Sequence, residues 1–146
     1  MAKGVTITVK GDRELVAAMK RAGALTDSET RKAVKETLVD GEAHIKRLLS
    51  QPGTGRLYGT HRASAPGNPP AVDTGTYRGS WRNRILASGA GLHGGEIYTT
   101  QERGPWLENG TARMAARPHA GPTAEHVRET LPKFVGAAIK RMEGAL

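Results

Sequence analysis

The chain opens on an alternation. Val5 to Val9 places valine and isoleucine two residues apart with threonines between them, the period of a strand with one buried face. The period then lengthens. Asp12 is a helix-capping residue, and Leu15, Met19 and Ala22 follow at helical spacing, so a first helix is predicted there, ended by Gly23 to Thr26. Thr26, Asp27, Ser28 and Glu29 form a capping-box pattern. Beyond it Val34, Leu38, Gly41, Ile45 and Leu48 recur at steps of four and three, which predicts a long helix from about Ser28 to Leu49, stopped by Pro52 and Gly53.

Regularity then fails. Gly53 to Asp73 holds Gly53, Gly55, Gly59, Gly67, Pro66, Pro69 and Pro70 and reads as an irregular loop. Loops of about twenty residues are uncommon in compact domains and usually serve a function or stay disordered. Asp73 or Thr74 can cap a short helix running through Tyr77 to Trp81. Two strands are predicted next, Trp81 to Ala87 and Glu96 to Thr100, joined by a glycine-rich turn from Ser88 to Gly95. Arg103 to Thr111 reads as a short helical turn with Gly110 as its stop. From Thr123 to about Glu143 the helical period returns in Val127, Leu131, Val135, Ala138 and Met142, and Pro132 is expected to kink or divide that helix.

Thirteen of the nineteen glycines and seven of the eight prolines lie between Pro52 and Pro122, so helical ends surround a loop-rich β middle. The fold class is α+β: a small antiparallel sheet packed against two or three helices, with a long Pro/Gly-rich basic loop. The chain of 146 residues is read as one domain without internal repeats. Within it, 1–49 holds a strand and two helices, 50–73 an extended arm, 74–121 a short helix, β-hairpin and turn, and 122–146 the last helix.

Composition narrows the picture. Hydrophobic residues make up 37% and only six residues are aromatic, so the core is small and aliphatic and part of the stability is expected from partners. The absence of cysteine rules out disulfides and thiolate metal sites and fits a reducing compartment. The first residues lack an apolar run of signal-peptide length, and no stretch approaches the roughly 18 apolar residues of a membrane span, so no membrane partner is expected.

The net charge of +8 is unevenly placed. Between Lys46 and Arg84 lie seven basic residues, Lys46, Arg47, Arg56, Arg62, Arg78, Arg82 and Arg84, against the single acid Asp73, which leaves +6 on this segment. Elsewhere the signs mix as on solvated helix faces. Positive charge on a mobile segment suits contact with backbone phosphates. Arg78 and Arg82 share a face if the short helix continues that far, and Arg82 and Arg84 share one if a strand has begun. Solubility, or pairing with acids of a neighbouring subunit, is the competing reading. No recognition helix or RNA-binding motif is visible, so base-specific reading is not expected.

No catalytic or cofactor site is expected. His44, His61, His93, His119 and His126 are scattered without a metal-ligand motif, and no serine sits in a nucleophile elbow. Asp73, Glu96, Glu102 and Glu108 would have to converge to make a metal-dependent nuclease, and nothing in their spacing demands it. Gly53 to Gly59 lacks the lysine and hydroxyl of a phosphate loop. Tyr77, Trp81 and Trp106 are half of the aromatics, with Trp81 expected in the core and Trp106 at a subunit interface.

Two segments in order, Asn68 to Trp81 and then Trp106 to His126, with a strand hairpin between them, resemble the head–tail joining, or tail-completion, proteins of long-tailed phages. The matching positions are Pro69, Pro70, Asp73, Thr74, Gly75, Ser80, Leu107, Glu108, Gly110, Thr111, Arg117, Pro118 and Pro122. Asn109 replaces a usual bulky apolar residue and His119 a usual phenylalanine. The resemblance implies an α+β subunit without enzymatic activity, in a ring of often six copies at the virion neck, made in the host cytoplasm. It would bind connector or stopper proteins and tail-terminator or tail-tube proteins around the DNA channel.

Under this resemblance Arg56, Arg62, Arg78, Arg82 and Arg84 face the channel or other subunits, with nonspecific duplex DNA as a further contact. Pro69, Pro70, Asp73, Thr74, Gly75, Trp106, Glu108, Gly110, Thr111, Arg117 and Pro118 form the scaffold and interface. Asp73 and Thr74 are expected to bond backbone amides, Gly75 to allow close packing, and Glu108 to pair with Arg117. The alternatives are a tail-terminator protein and a sequence-nonspecific nucleic-acid-binding module.

Overall fold

The computed structural model describes residues 4–10, 27–86 and 93–144, and the protein is α+β. The helix expected from Asp12, the Thr26 end of the capping box and most of the Ser88 to Gly95 turn lie outside the described residues. Strand β1 spans Val5–Lys10 and helix α1 spans Asp27–Leu48. A two-stranded hairpin follows, β2 at Leu57–Tyr58 and β3 at His61–Arg62. Then come α2 at Thr76–Ser80, β4 at Arg82–Leu86, β5 at Gly94–Thr99, α3 at Arg103–Asn109 and α4 at Ala120–Glu143.

The main sheet has the order β1-β5-β4, antiparallel throughout. Ile7 stands opposite Ile97 and Ile97 opposite Asn83, so one register row faces the helices. The neighbouring rows, Thr6 with Tyr98 and Arg82, and Thr8 with Glu96 and Arg84, face the other way because strand side chains alternate. Helices α1 and α4 cover only the inner face. The threonines and arginines of the outer face are exposed.

The apolar stripe of α1 is buried at Val34, Leu38, Gly41 and Ile45, but at its end Leu49, one residue past the helix, is buried in place of the expected Leu48, which stays half-buried. Val34, Leu38, Ile45 and Leu49 join Ile7, Tyr77, Trp81, Ile97, Ala120 and Val127 in the main core. Gly41 belongs to the same stripe for a steric reason: a methyl there would stand 2.5 Å from Ile97 Cδ1 and 2.7 Å from Val127 Cγ2. This is the point where α1, β5 and α4 meet. Strand β5 begins at Gly94 rather than at Glu96, because Gly95 lets α1 lie flat on the sheet. A Cβ at Gly95 would be 2.3 Å from Leu38 Cδ1 and 2.9 Å from the Arg84 carbonyl. A second cluster of Ala33, Val135 and Ala138 extends the α1–α4 seam.

Helix α4 starts three residues before the expected Thr123, and Pro132 does not divide it. Pro132 and Arg128 are both exposed, so the carbonyl that Pro132 leaves without an N–H lies on the solvent side.

Candidate functional site

Of the long irregular segment, only part projects. Gly55 N–H donates to the Ala63 carbonyl at 2.7 Å and Ala63 N–H to the Arg56 carbonyl at 2.9 Å, which turns residues 55–63 into a hairpin. Gly59 has φ of +59°, as the first position of a two-residue turn of this hand needs. The remainder is fastened to the body. Ser64 and Pro70 are buried, Gly67 N–H donates to the Ala116 carbonyl at 3.0 Å, and Val72 N–H donates to the Gln51 carbonyl at 3.1 Å. The arm is therefore a short hairpin on a packed base. Its strand pair shows two of the exposed large apolar side chains, Leu57 at 52% and Tyr58 at 58%. The sequence signal was present in the two dipeptides flanking Gly59 and Thr60, but two-residue strands are too short for an alternation to register.

A cleft of about 200 Å³ lies at the base of the arm. Leu49, Pro70, Val72, Tyr77 and Leu107 contribute apolar lining, and His61, Asp73, Arg78 and Arg103 polar lining. His61 Nδ1 lies 3.7 Å from the Asp73 carboxylate. Arg78 Nη1 donates to Ser50 Oγ at 3.0 Å, which ties α2 to the end of α1, and Arg103 sits over the Tyr77 ring, 5.2 Å from its centroid.

The two motif segments meet beside this cleft, but not by all of the expected contacts. Glu108 does not pair with Arg117. Its carboxylate accepts the backbone N–H groups of His119 at 2.8 Å, Ala120 at 2.9 Å and Gly121 at 2.9 Å. It thereby caps α4 from another element, at the helix end where unsatisfied donors and the helix dipole favour an anion. Burial pushes the Glu108 carboxyl up, but these three donors and the neighbouring His119 ring outweigh it and hold the group below its usual range. Arg117 is fixed by its backbone, whose N–H donates to the Leu107 carbonyl at 2.7 Å. Its Nη1 has no partner among the described residues.

Gly110 ends α3 with φ of +76°, and the Thr111–Met114 bridge continues the turn that leads to Arg117 and Pro118. At the other motif, Gly75 has φ of +80°, so backbone conformation rather than close packing calls for glycine there. Thr74 Oγ1 accepts the Thr76 N–H at 3.4 Å, while the Asp73 carboxylate faces His61 rather than a backbone amide.

Between the motifs lies a buried aromatic group. The Trp81 ring is fully enclosed and makes edge contacts with Tyr77 and His119. The Tyr77 hydroxyl meets His119 Nε2 at 2.6 Å, and His119 Nδ1 meets the Arg117 carbonyl at 2.8 Å and Glu108 at 3.0 Å. A neutral ring satisfies all of these, with Nδ1 carrying the proton and Nε2 accepting from Tyr77. Burial pushes the His119 pKa down and the Tyr77 phenol up, so both groups stay uncharged in this core. His119 thus packs in the core as a hydrogen-bonded aromatic ring, a role its isolated place in the sequence did not reveal.

The arginines divide by partner. Arg84 bonds Glu96 and covers the Tyr98 ring, so its charge is offset. Arg82 donates to the Gly79 and Trp81 carbonyls and keeps its charge. Arg56 stacks over Tyr58, and Arg62 donates to the Gly55 carbonyl at 2.9 Å. Arg82 and Arg84 do share a face, the outer face of the sheet, whereas Arg78 lines the cleft. Trp106 is 55% exposed. The carboxylates weighed as a nuclease cluster are not brought together: Glu96 lies on the sheet with Arg84, Glu108 under α4 and Asp73 at the cleft. Among the described residues, no group of three or more histidine, aspartate or glutamate side chains is placed to hold a metal ion.

Comparison of the chain with family models, with curated proteins and with solved structures finds no match.

Proposed function

We propose that this protein is a structural subunit of a phage neck, a tail-completion or head–tail joining protein that forms a ring between connector and tail tube. The observation that carries the reading is the ordered pair of motif segments, whose members act as a mutual scaffold. Glu108 of the second segment caps the helix that follows it, and Tyr77 of the first bonds His119 of the second. Gly75 and Gly110 hold the positive φ angles of the two turns. Glu108, Thr74 and Thr111 of the motifs are engaged in local backbone contacts near the base of the exposed arm, as an assembly module requires. The exposed Leu57, Tyr58 and Trp106 supply apolar contact area for sister copies.

The test is removal of the gene from the phage that carries it, followed by negative-stain imaging of the lysate. The expected result is separate heads and tails, with joining restored when purified protein is added. Tails that mature and join heads normally without it refute the proposal.

One observation favours a second reading, a sequence-nonspecific nucleic-acid module. Arg56 and Arg62 sit on the exposed hairpin and, unlike Arg84, have no carboxylate partner among the described residues. Phosphate contact by such side chains gives binding that weakens steeply with salt.

A further inference from the structure

Among the described residues the main sheet ends in two open edges. Among the described residues, β1 and β4 each pair only with β5, so each turns one row of backbone N–H and C=O groups away from the sheet. The two edges differ in what guards them. Strand β4 shows Arg82 and Arg84 on the outer face, and β1 shows Thr6 and Thr8 on the same face. We propose that the β4 edge pairs with the β1 edge of a second copy of this chain, continuing one sheet from subunit to subunit. The proposal rests on the ring reading and specifies its interface.

Three observations select this occupant. The strands match in length, six residues in β1 and five in β4. Both run antiparallel to β5 and hence parallel to each other, so rotation of one copy onto the next sets β1 beside β4 without reversing either. Such a contact joins two different patches, and contacts of that kind close into rings where the rotation from copy to copy divides a full turn, and run into filaments where it does not.

Charge supplies the third observation. Pairing β4 with β4 about a twofold axis would set Arg82 and Arg84 against the same arginines of the other copy, an arrangement that destabilises a sheet. Against β1 the pleat places the arginines beside Thr6 and Thr8, whose hydroxyls accept hydrogen bonds. Arg84 is already held by Glu96, whereas Arg82 bonds backbone carbonyls through Nη1 alone and keeps its other N–H groups as donors across the seam.

The chain has no cysteine, so single cysteines report the seam directly. Thr6→Cys, Thr8→Cys and Arg82→Cys are made separately at exposed positions. Each is checked by thermal melting, then Arg82→Cys is mixed with either threonine variant under mild oxidant at concentrations where the protein assembles. The expected result is covalent dimers containing one chain of each kind, with little or no product from Arg82→Cys alone. Disulfide dimers of Arg82→Cys by itself, or none in either mixture, overturn the pairing.

Negative-stain imaging of the same samples separates the two proposals. Rings without mixed cross-links refute the edge pairing and leave the ring. Mixed cross-links in open filaments refute the ring and leave the pairing. Hydrogen exchange on the unmodified chain, dilute against assembled, gives an independent reading. Added protection at alternate amides of β1 and β4 supports the seam, and unchanged exchange there overturns it.

Discussion

Replacing Glu108 by alanine removes one carboxylate and exposes three backbone donors at once. In the native protein that group accepts the N–H of His119, Ala120 and Gly121 within 2.9 Å. Losing a helix cap costs about 1 kcal/mol, up to about 2. A single hydrogen bond to a charged group contributes about 1.5–3 kcal/mol. The three bonds share one acceptor and one helix end, so they do not add in full, and about 3 kcal/mol is the expected loss for Glu108→Ala. For a domain of this size that lowers the melting temperature by about 6–12 °C.

Chemical denaturation read by circular dichroism measures the free energy, and Glu108→Gln is the companion variant. It keeps an acceptor oxygen and loses the charge, so it should fall between wild type and alanine. The sign with pH is also fixed. A carboxyl held below its ordinary value stabilises the fold above that value and ceases to do so as pH falls through the native one. Wild type should therefore lose part of its advantage over Glu108→Ala below about pH 4.5, where a free glutamate begins to take up its proton. A Glu108→Ala protein within 1 kcal/mol of wild type at pH 7 would refute the cap as the link between the two motif segments.

Other perturbations test other parts. His44 stacks on His126 with ring centroids 4.1 Å apart, His126 meets Asp40 at 2.7 Å, and His44 Nδ1 meets Thr123 Oγ1 at 3.2 Å. Burial, then the charges of His126 and Arg47, hold the His44 pKa down against Asp40, so its contribution is complete above about pH 6.5 and lost as pH falls below it. His44→Gln should flatten the stability profile between about pH 7 and 5, and an unchanged profile counts against the seam as the source. Gly95→Ala should cost about 1–3 kcal/mol by forcing Leu38 and the Arg84 backbone apart, measurable by denaturant titration. Arg56→Ala with Arg62→Ala should leave thermal stability within about 0.5 kcal/mol, as exposed substitutions do. If the hairpin contacts DNA, the same double variant should shallow the salt dependence of binding by about two charges, and an unaltered slope places the contact elsewhere.

The long-period features were legible in the sequence because they recur. The Val34 to Ile45 stripe, the C-terminal stripe and the first strand each repeat an apolar position several times, and burial follows the two helical repeats at most of their positions and the strand at Ile7. What was not legible depends on single residues meeting across the chain. Glu108 has an arginine nine positions away as an obvious ion partner, yet the free N–H groups at the start of α4 offer three donors at 2.8 to 2.9 Å. Gly94 and Gly95 look like turn residues, and only the helix lying over them makes them strand. The hairpin of the arm is two residues per strand, below the length at which alternation carries information. Trp81 was placed in the core from aromatic scarcity alone, but its neighbours Tyr77 and His119 were not foreseen as one hydrogen-bonded unit.

The α1–α4 seam has a kinetic consequence. His44 meets Thr123 across 79 positions and Glu29 meets Arg141 across 112. The sheet likewise begins at Val5 and is completed by β5. Chain closure over such separations is slow, which places refolding toward milliseconds to seconds rather than microseconds. During translation the apolar stripe of α1 emerges long before its covering helix. The nascent protein thus carries a bare sticky surface until α4 has been made, the interval in which a holdase would matter most.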